Sequence, residues 1–277
     1  MTTDRRSQSF LAGAWRVFEL SLGEMLWSRR TIFMALVVGC PVVVALVARI
    51  VQTAGLSLLR VNGVQIDAMN MFGVMIWTLF MWFIVPVLGA FYGTSLIADE
   101  VDDKTITYLF TRPVRRGAVL FGKFIAYLVC TTFVVLPSVM IVYFLIVPIG
   151  QIAATFTSLL IDLGVIGLGL IAYGSLFAFV GTALKRPLVV GLVFAFGWEQ
   201  AALFLPGYVK RFTLAYYLQT MVPHAMPSGG VVSALQGAMF KDPPSVGMSL
   251  LCLSLAIVVS LAAAVRVVER REYVLEQ

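Results

Sequence analysis

Five charged residues stand together between two long apolar stretches of the sequence: Asp99, Glu100, Asp102, Asp103 and Lys104. Apolar and aromatic residues follow them: Ile106, Tyr108, Leu109 and Phe110. Exposed acids of this kind can pair with basic groups of another protein, which contributes to specificity more than to affinity. Acids are not needed to set membrane topology, which follows lysine and arginine. The segment therefore predicts a protein docking surface, and the alternative is a loop that is only solvated.

The same stretch contains a break at Arg112-Pro113, followed by Arg115 and Arg116. Proline disfavours helical geometry at the residue before it. We therefore expect a helix to leave the membrane, continue as a short surface helix and break near Pro113. Arg115 and Arg116 are expected to mark the membrane edge where the next apolar stretch begins.

Residues 117–124, GAVLFGKF, have the glycine and lysine spacing of a phosphate-binding loop. That loop needs Ser or Thr after the lysine to bind Mg²⁺, with a strand before it and a helix after it. Here Phe124 follows Lys123, and a charged helical turn precedes the segment. Nucleotide binding is therefore not predicted, and Gly117 and Gly122 are expected to allow close helix packing. Gly89 and Gly93 form a GxxxG pattern with the same expected role.

The other reactive residue types form no pattern typical of an enzyme or metal site. The chain has one histidine, His224, and its three cysteines lie apart in apolar runs, as small buried hydrophobic residues do. No HExxH motif occurs, and Ser175 has no matching catalytic histidine. The sequence predicts no catalytic residue, no metal ligand and no cofactor in this chain.

Two acids, Asp162 and Glu199, lie inside apolar stretches. An ionisable residue within a membrane is costly and is therefore a functional candidate. If its span starts at Leu188, Glu199 lies roughly 16 Å along the helix at about 1.5 Å per residue. Two interpretations stay open for Glu199: a place in a translocation path, or a helix-packing role with a bonded partner. Asp162 is expected near the external edge of its span.

The elements that carry these residues follow from composition. Of 277 residues, 60% are hydrophobic and 12% are charged, against about 25% charged in soluble chains. The mean hydropathy is +0.96. This excludes a cytosolic enzyme, a disordered tail and a secreted disulfide scaffold, because none of them can be built with so little polar surface. The composition predicts an all-α polytopic membrane protein with one transmembrane domain over residues 1–277.

Six stretches are long and apolar enough to be predicted as spans, at about 20 residues each. They cover residues 31–48, 71–98, 119–148, 152–184, 188–205 and 246–265. Before them, residues 8–30 have apolar side chains at helical spacing, with Trp15 and Trp27. This predicts an amphipathic helix lying on the membrane surface. The alternative is a soluble helix packed on the rest of the protein.

The orientation follows from the distribution of lysine and arginine. Of the 20 basic residues, 15 lie on the side of the two termini and five on the opposite side. The positive-inside rule therefore predicts that both termini are cytoplasmic. Topology also explains the net charge of +6, and no basic stripe with interleaved aromatics indicates nucleic acid binding.

The segment from residue 93 to 124 resembles the first cytoplasmic loop of the ABC-2 permease family, the membrane subunits of ATP-binding-cassette exporters. The resemblance rests on five pieces of sequence: Asp99-Glu100, Lys104-Thr105-Ile106, Leu109, Arg112-Pro113-Val114-Arg115-Arg116 and Gly122-Lys123. Lys104 stands where family members often have glycine. The layout is also similar, with an N-terminal amphipathic helix, six spans and a long stretch, residues 206–245, before the last span.

The resemblance implies that residues 99–116 hold a coupling helix that docks on a separate ABC ATPase subunit. The docking residues would be Asp99, Glu100, Asp102, Asp103, Lys104, Thr105, Leu109, Arg112, Pro113, Arg115 and Arg116. ATP and Mg²⁺ would be bound by that partner and not by this chain. The permease would pair with a second, identical or related permease in the bacterial inner membrane. Residues 206–245 would form external re-entrant helices that cap the path.

Two alternatives lead to different functions. An ion-coupled secondary transporter is disfavoured because no internal repeat is visible and few intramembrane charges exist to carry protons. A membrane assembly or immunity factor with the permease fold but no transport is the other alternative. Co-purification with an ATPase separates the exporter from the first alternative, and substrate flux separates it from the second.

Overall fold

The computed structural model describes residues 10–26, 29–54, 60–61, 64–65, 68–102, 116–204, 208–222 and 244–270. Helix α1 covers Phe10–Leu26, and α2 covers Arg29–Thr53. A small antiparallel hairpin follows, with β1 at Arg60–Val61 and β2 at Val64–Gln65. Arg60 pairs with Gln65, and Val61 pairs with Val64. Of the predicted amphipathic helix over 8–30, the structure describes Phe10–Leu26 as α1 and places Arg29 and Arg30 in α2.

Helix α3 covers residues 68–102 and changes its hydrogen-bond pattern along its length. Ala68–Met75, Val85–Leu88 and Thr94–Asp102 are α-helical, whereas Ile76–Ile84 and Gly89–Gly93 are π-helical. The first π segment ends at Ile84, two residues before Pro86, which has no N–H to donate to the preceding turn.

The remaining helices run from α4 to α8. Helix α4 covers Arg116–Ile146, and α5 covers Ile152–Ala183 after a 3₁₀ turn at Ile149–Gln151. Helix α6 covers residues 187–204, with a π-helical segment at Phe194–Trp198. A 3₁₀ turn at Val209–Phe212 leads into the short α7, Leu214–Gln219. Helix α8 covers Val246–Arg270.

Five helices among the described residues are long and apolar enough to cross a membrane. They cover Thr31–Thr53, Ala68–Glu100, Arg116–Ile146, Ile149–Ala183 and Val246–Arg270. In hydrocarbon each backbone polar group must bond within its own segment, so apolar runs of this length form helices. The all-α polytopic membrane class is therefore confirmed for the described chain, whose strands are limited to the small hairpin. The fifth predicted span contains the shorter apolar helix Pro187–Ala202, so the count of six spans stays a prediction.

The helix ends differ from the predicted span boundaries by at most five residues. The largest differences are at Thr53 and Arg270, where α2 and α8 end beyond the predicted residues 48 and 265. A helix does not end where its side chains become polar, because its backbone bonds are internal. The helices therefore continue past the apolar runs from which the spans were read.

Glycines bring α3 and α5 into close contact in the core. A Cβ on Gly89 would lie 2.8 Å from the Cβ of Tyr173, and one on Gly93 would lie 2.9 Å from that of Phe177. Further along α5, a Cβ on Gly181 would meet the carbonyl oxygen of Thr94. The GxxxG pattern of α3 is thus a packing face against α5, the role that small residues have in membrane helix pairs.

Candidate functional site

The predicted docking segment is flanked by an ion pair between two helices. Glu100, near the end of α3, accepts a hydrogen bond from the Nζ of Lys123 on α4. Their side chains are 20% and 10% exposed, respectively. A pair this enclosed is screened by solvent less than a surface pair is. The pair therefore ties the end of α3 to the start of α4.

The neighbouring residue on α4, Gly122, brings a third helix to the same place. A Cβ on Gly122 would meet the carbonyl oxygen of Ala14, and would lie 3.0 Å from the Cβ of Val17 and 3.2 Å from the amide nitrogen of Phe18. Only a glycine therefore admits the backbone of α1 this close. We call the group of Glu100, Lys123, Gly122 and the α1 turn 14–18 the cytoplasmic junction, after its predicted side of the membrane.

Helix α1 has one face on this junction and another that is exposed. Ala14 and Ser21 are buried, while Trp15 is 61% exposed and Leu20 is 59% exposed. The Nε1 of Trp15 donates a hydrogen bond to Oε1 of Glu19 at 3.0 Å. The exposed apolar and aromatic side chains are typical of a helix at a membrane surface. That location stays a prediction, and Trp27 lies outside the described residues.

The predicted docking residues fall into two groups in the structure. Asp99, Glu100 and Asp102 lie in the last turn of α3, and Arg116 is the first residue of α4. The others lie outside the described residues: Asp103, Lys104, Thr105, Leu109, Arg112, Pro113 and Arg115. Glu100 pairs with Lys123 within the chain, and its contact with a partner protein stays a prediction. The sequence contains a signal for this pair, because the opposite charges of Glu100 and Lys123 lie on the two sides of residues 103–115.

Residues 117–124 are part of the continuous helix α4 and form no loop. A phosphate-binding loop needs backbone N–H groups turned toward the ligand, and helical residues here have theirs in the helix. Lys123 points its Nζ at Glu100. The structure therefore agrees with the packing role predicted for Gly122.

The second group of buried polar atoms surrounds Glu199, which is 1% exposed. The hydroxyl of Tyr173 donates to its Oε2 at 2.9 Å. The amide of Leu214 donates to Oε1 at 3.0 Å, and the amide of Ala215 donates to Oε2 at 3.0 Å. We call this arrangement the Glu199 cap, because its carboxyl group accepts from the first two amides of α7.

The Glu199 cap joins three helices for a clear physical reason. The first amides of a helix have no partner within it and need an external acceptor. Thr213 supplies another acceptor, because its Oγ1 accepts a hydrogen bond from the amide of Tyr216 at 3.4 Å. Glu199 from α6 and Tyr173 from α5 thus hold the start of α7 in place. Sequence reasoning found Glu199 but not Tyr173, whose sequence position is that of an ordinary aromatic residue in a span.

Helix α7 also packs through apolar contacts on both sides of the cap. A Cβ on Gly169 would lie 3.4 Å from Cδ1 of Leu218. Trp77 of α3 packs against Ala215 and Tyr216 in a small separate apolar cluster. The segment is therefore embedded between α3 and α5 and does not lie on the outside of the described chain.

The described residues contain no group of three or more His, Cys, Asp or Glu side chains placed to hold a metal ion. Cys40 is exposed, Cys130 is buried and Cys252 is half-buried. Asp162, the other acid predicted within a span, is buried in α5. His224 lies outside the described residues.

Residues 25–273 match the family model described as ABC-2 family transporter protein. The chain belongs to this family. The match covers the predicted spans, the segment 99–116 and the Glu199 cap. It therefore confirms the family that the sequence of the loop indicated, over nearly the whole chain. No curated protein matches its sequence. As a family member with several membrane-capable helices, the ABC-2 protein is a multi-pass permease subunit of an ABC transporter.

Proposed function

We propose that this permease exports a substrate across the bacterial inner membrane, using ATP hydrolysed on a separate ABC ATPase that docks on residues 99–116. It would work as one of two permease chains, with six spans and both termini in the cytoplasm. ATP and Mg²⁺ would be bound by the ATPase. The apolar interior favours an amphipathic cargo.

The observation that carries this proposal is the cytoplasmic junction. At about 1.5 Å per residue, α3 is about 52 Å long and α4 about 46 Å long, against a hydrocarbon core of about 30 Å. Both helices therefore have length to extend beyond the bilayer toward the docking segment. Because Glu100 and Lys123 join them at this end, a force on residues 103–115 would move both helices together as a lever.

Packing of α1 on α4 supports the same role. Because Gly122 has no side chain, the backbone of α1 packs directly on α4 at the cytoplasmic junction. The exposed Trp15 and Leu20 would anchor α1 in the headgroup layer. With α1 fixed at the membrane surface, α3 and α4 would tilt relative to it when the docking segment moves.

The Glu199 cap supports a structural role for Glu199 on the side of the membrane opposite the cytoplasmic junction. Its carboxyl group accepts hydrogen bonds from Tyr173, Leu214 and Ala215. We propose that it positions the start of residues 206–245 at the exit of the path, and that it does not bind cargo itself. The three donors favour this interpretation over direct contact with a substrate.

The test is co-purification of the permease with the ABC ATPase encoded beside it. Because Glu100 pairs inside the chain, a reversal there would disturb the junction as well as the docking surface. The docking variant is therefore Asp102→Arg/Asp103→Arg. The matched control, Glu24→Arg/Glu269→Arg, makes the same change of charge at exposed acids on the predicted cytoplasmic side.

Wild type and control are expected to retain two ATPases per two permeases, while the docking variant releases them and loses transport-coupled ATP hydrolysis. If the ATPase stays bound to the docking variant, residues 99–116 are not its docking site. If no ATPase co-purifies with the wild type, the exporter proposal fails, and an ion-coupled or assembly role takes its place.

A further inference from the structure

A cleft of about 390 Å³ lies where the ends of α5 and α8 meet. Its described lining consists of Ala183, Arg266, Val267 and Arg270. Ala183 is the last residue of α5, and Arg270 is the last residue of α8. The cleft thus combines two small or apolar side chains with two arginines at one end of the helix bundle.

The two arginines of the cleft share one face of α8. Arg266 and Arg270 are four residues apart on a helix, which places them on the same face, one turn from each other. Both are exposed. A guanidinium group has a planar set of donors that matches two oxygens of a phosphate, and its charge is kept at any physiological pH. Glu269 is the acid next to the pair in sequence and is also exposed.

An exposed apolar stripe on α8 leads to this pair. Leu251, Leu255 and Val258 are exposed by 61%, 60% and 63%, and Ala262 continues the row toward Arg266. From Leu251 to Arg266 the helix rises about 22 Å at about 1.5 Å per residue. One leaflet is half of the hydrocarbon core of about 30 Å. The stripe is therefore long enough to cover one acyl layer, with the arginines at its headgroup end.

This end of the bundle is the predicted cytoplasmic side, where Lys185 and Arg186 follow α5 and are exposed. The cytoplasmic leaflet carries anionic lipids, and basic pockets between membrane helices bind their headgroups. We propose that the cleft binds the phosphate of an anionic phospholipid through Arg266 and Arg270, with an acyl chain along Leu251, Leu255 and Val258. The inference depends on the predicted orientation but not on ATPase docking.

The test uses native mass spectrometry of the purified full chain in detergent. The probe is an equimolar mixture of phosphatidylglycerol and phosphatidylcholine with the same acyl chains, so that only the headgroup charge differs. The site variant is Arg266→Gln/Arg270→Gln. The matched control, Lys185→Gln/Arg186→Gln, removes two charges from the same end of the bundle without touching the cleft lining. Elution volume and Tm of each variant report whether it is folded.

Wild type is expected to retain phosphatidylglycerol in preference to phosphatidylcholine. Loss of both arginines should weaken this binding about a hundredfold, at about tenfold for each charge-assisted hydrogen bond to the phosphate. The control removes the same charge without such a bond and should weaken binding clearly less than the site variant does. Arg266→Lys/Arg270→Lys should keep part of the binding, because the charges remain and only the planar donor geometry is lost.

Three results would overturn the site. Equal loss in the site variant and the control would show general attraction to a basic surface. Equal retention of both lipids by the wild type would show that the headgroup is not recognised. Binding of inorganic phosphate, with neither lipid retained by the wild type, would show that the cleft takes a soluble anion.

Discussion

Replacement of Glu199 by alanine is expected to release α7 from α5 and α6. The change removes the acceptor of three donors: the hydroxyl of Tyr173 and the amides of Leu214 and Ala215. A buried donor left without a partner costs about 1–3 kcal/mol, so the penalty with α7 in place would be about 3–9 kcal/mol. The apolar contacts of Leu218 with α5 and of Ala215 and Tyr216 with Trp77 oppose release, so the variant is expected to raise the population of a state with α7 detached.

Glu199→Gln provides a graded comparison. If its amide oxygen takes the place of Oε2, it keeps the bonds from Tyr173 and Ala215 and loses the one from Leu214. The expected cost is then about 1–3 kcal/mol. Tyr173→Phe removes one donor and leaves both amides bonded, so its cost should be about 0.5–1.5 kcal/mol.

The assay is limited trypsin digestion after Lys210 and Arg211, which directly precede α7. Cleavage from an opened state tracks the population of that state, so each 1.4 kcal/mol should raise the cleavage rate about tenfold. Cleavage is expected to be fastest in Glu199→Ala, slower in Glu199→Gln, slower again in Tyr173→Phe and slowest in the wild type. Equal rates for wild type and Glu199→Ala would refute the capping role. Loss of transport in Glu199→Gln with an unchanged cleavage rate would indicate contact with cargo instead.

Two further predictions concern the packing of the helices, and a thermal unfolding series in detergent measures both. Lys123→Met should destabilise the chain by about 1–3 kcal/mol, because the side chain of Glu100 is 20% exposed and water still solvates its charge. Glu100→Gln/Lys123→Met should recover most of that loss, and equal Tm values for the single and double variants would contradict the pair. Gly181→Ala should lower the free energy of unfolding by about 1–3 kcal/mol, because its Cβ would meet the carbonyl oxygen of Thr94. The control is Gly164→Ala, whose Cβ would have nothing within 4 Å and which should change stability by less than about 1 kcal/mol. A larger loss at Gly164 than at Gly181 would refute the packing argument.

The class of the protein could be predicted from composition alone, because few charges and long apolar runs leave helices in a membrane as the available structure. The loop between residues 93 and 124 led to the family, and the match over residues 25–273 confirms it. Helices α2 and α8 extend five residues past the predicted spans 31–48 and 246–265, since hydropathy marks the hydrocarbon boundary and not the end of backbone hydrogen bonding. Hydropathy predicted a span at residues 188–205, and the shorter apolar helix Pro187–Ala202 leaves that span a prediction.

The sequence by itself determined which residues form helices and which side chains are chemically unusual in them. Only the tertiary structure decided what those side chains contact. Glu100 and Lys123 are 23 residues apart, and Glu199 lies 26 residues from Tyr173 and 15 from Leu214. Helical periodicity gives the face on which a residue lies, but not the helix that the face contacts. Contacts between helices depend on where Gly89, Gly93 and Gly122 permit close approach, and this follows from the packing of the whole bundle.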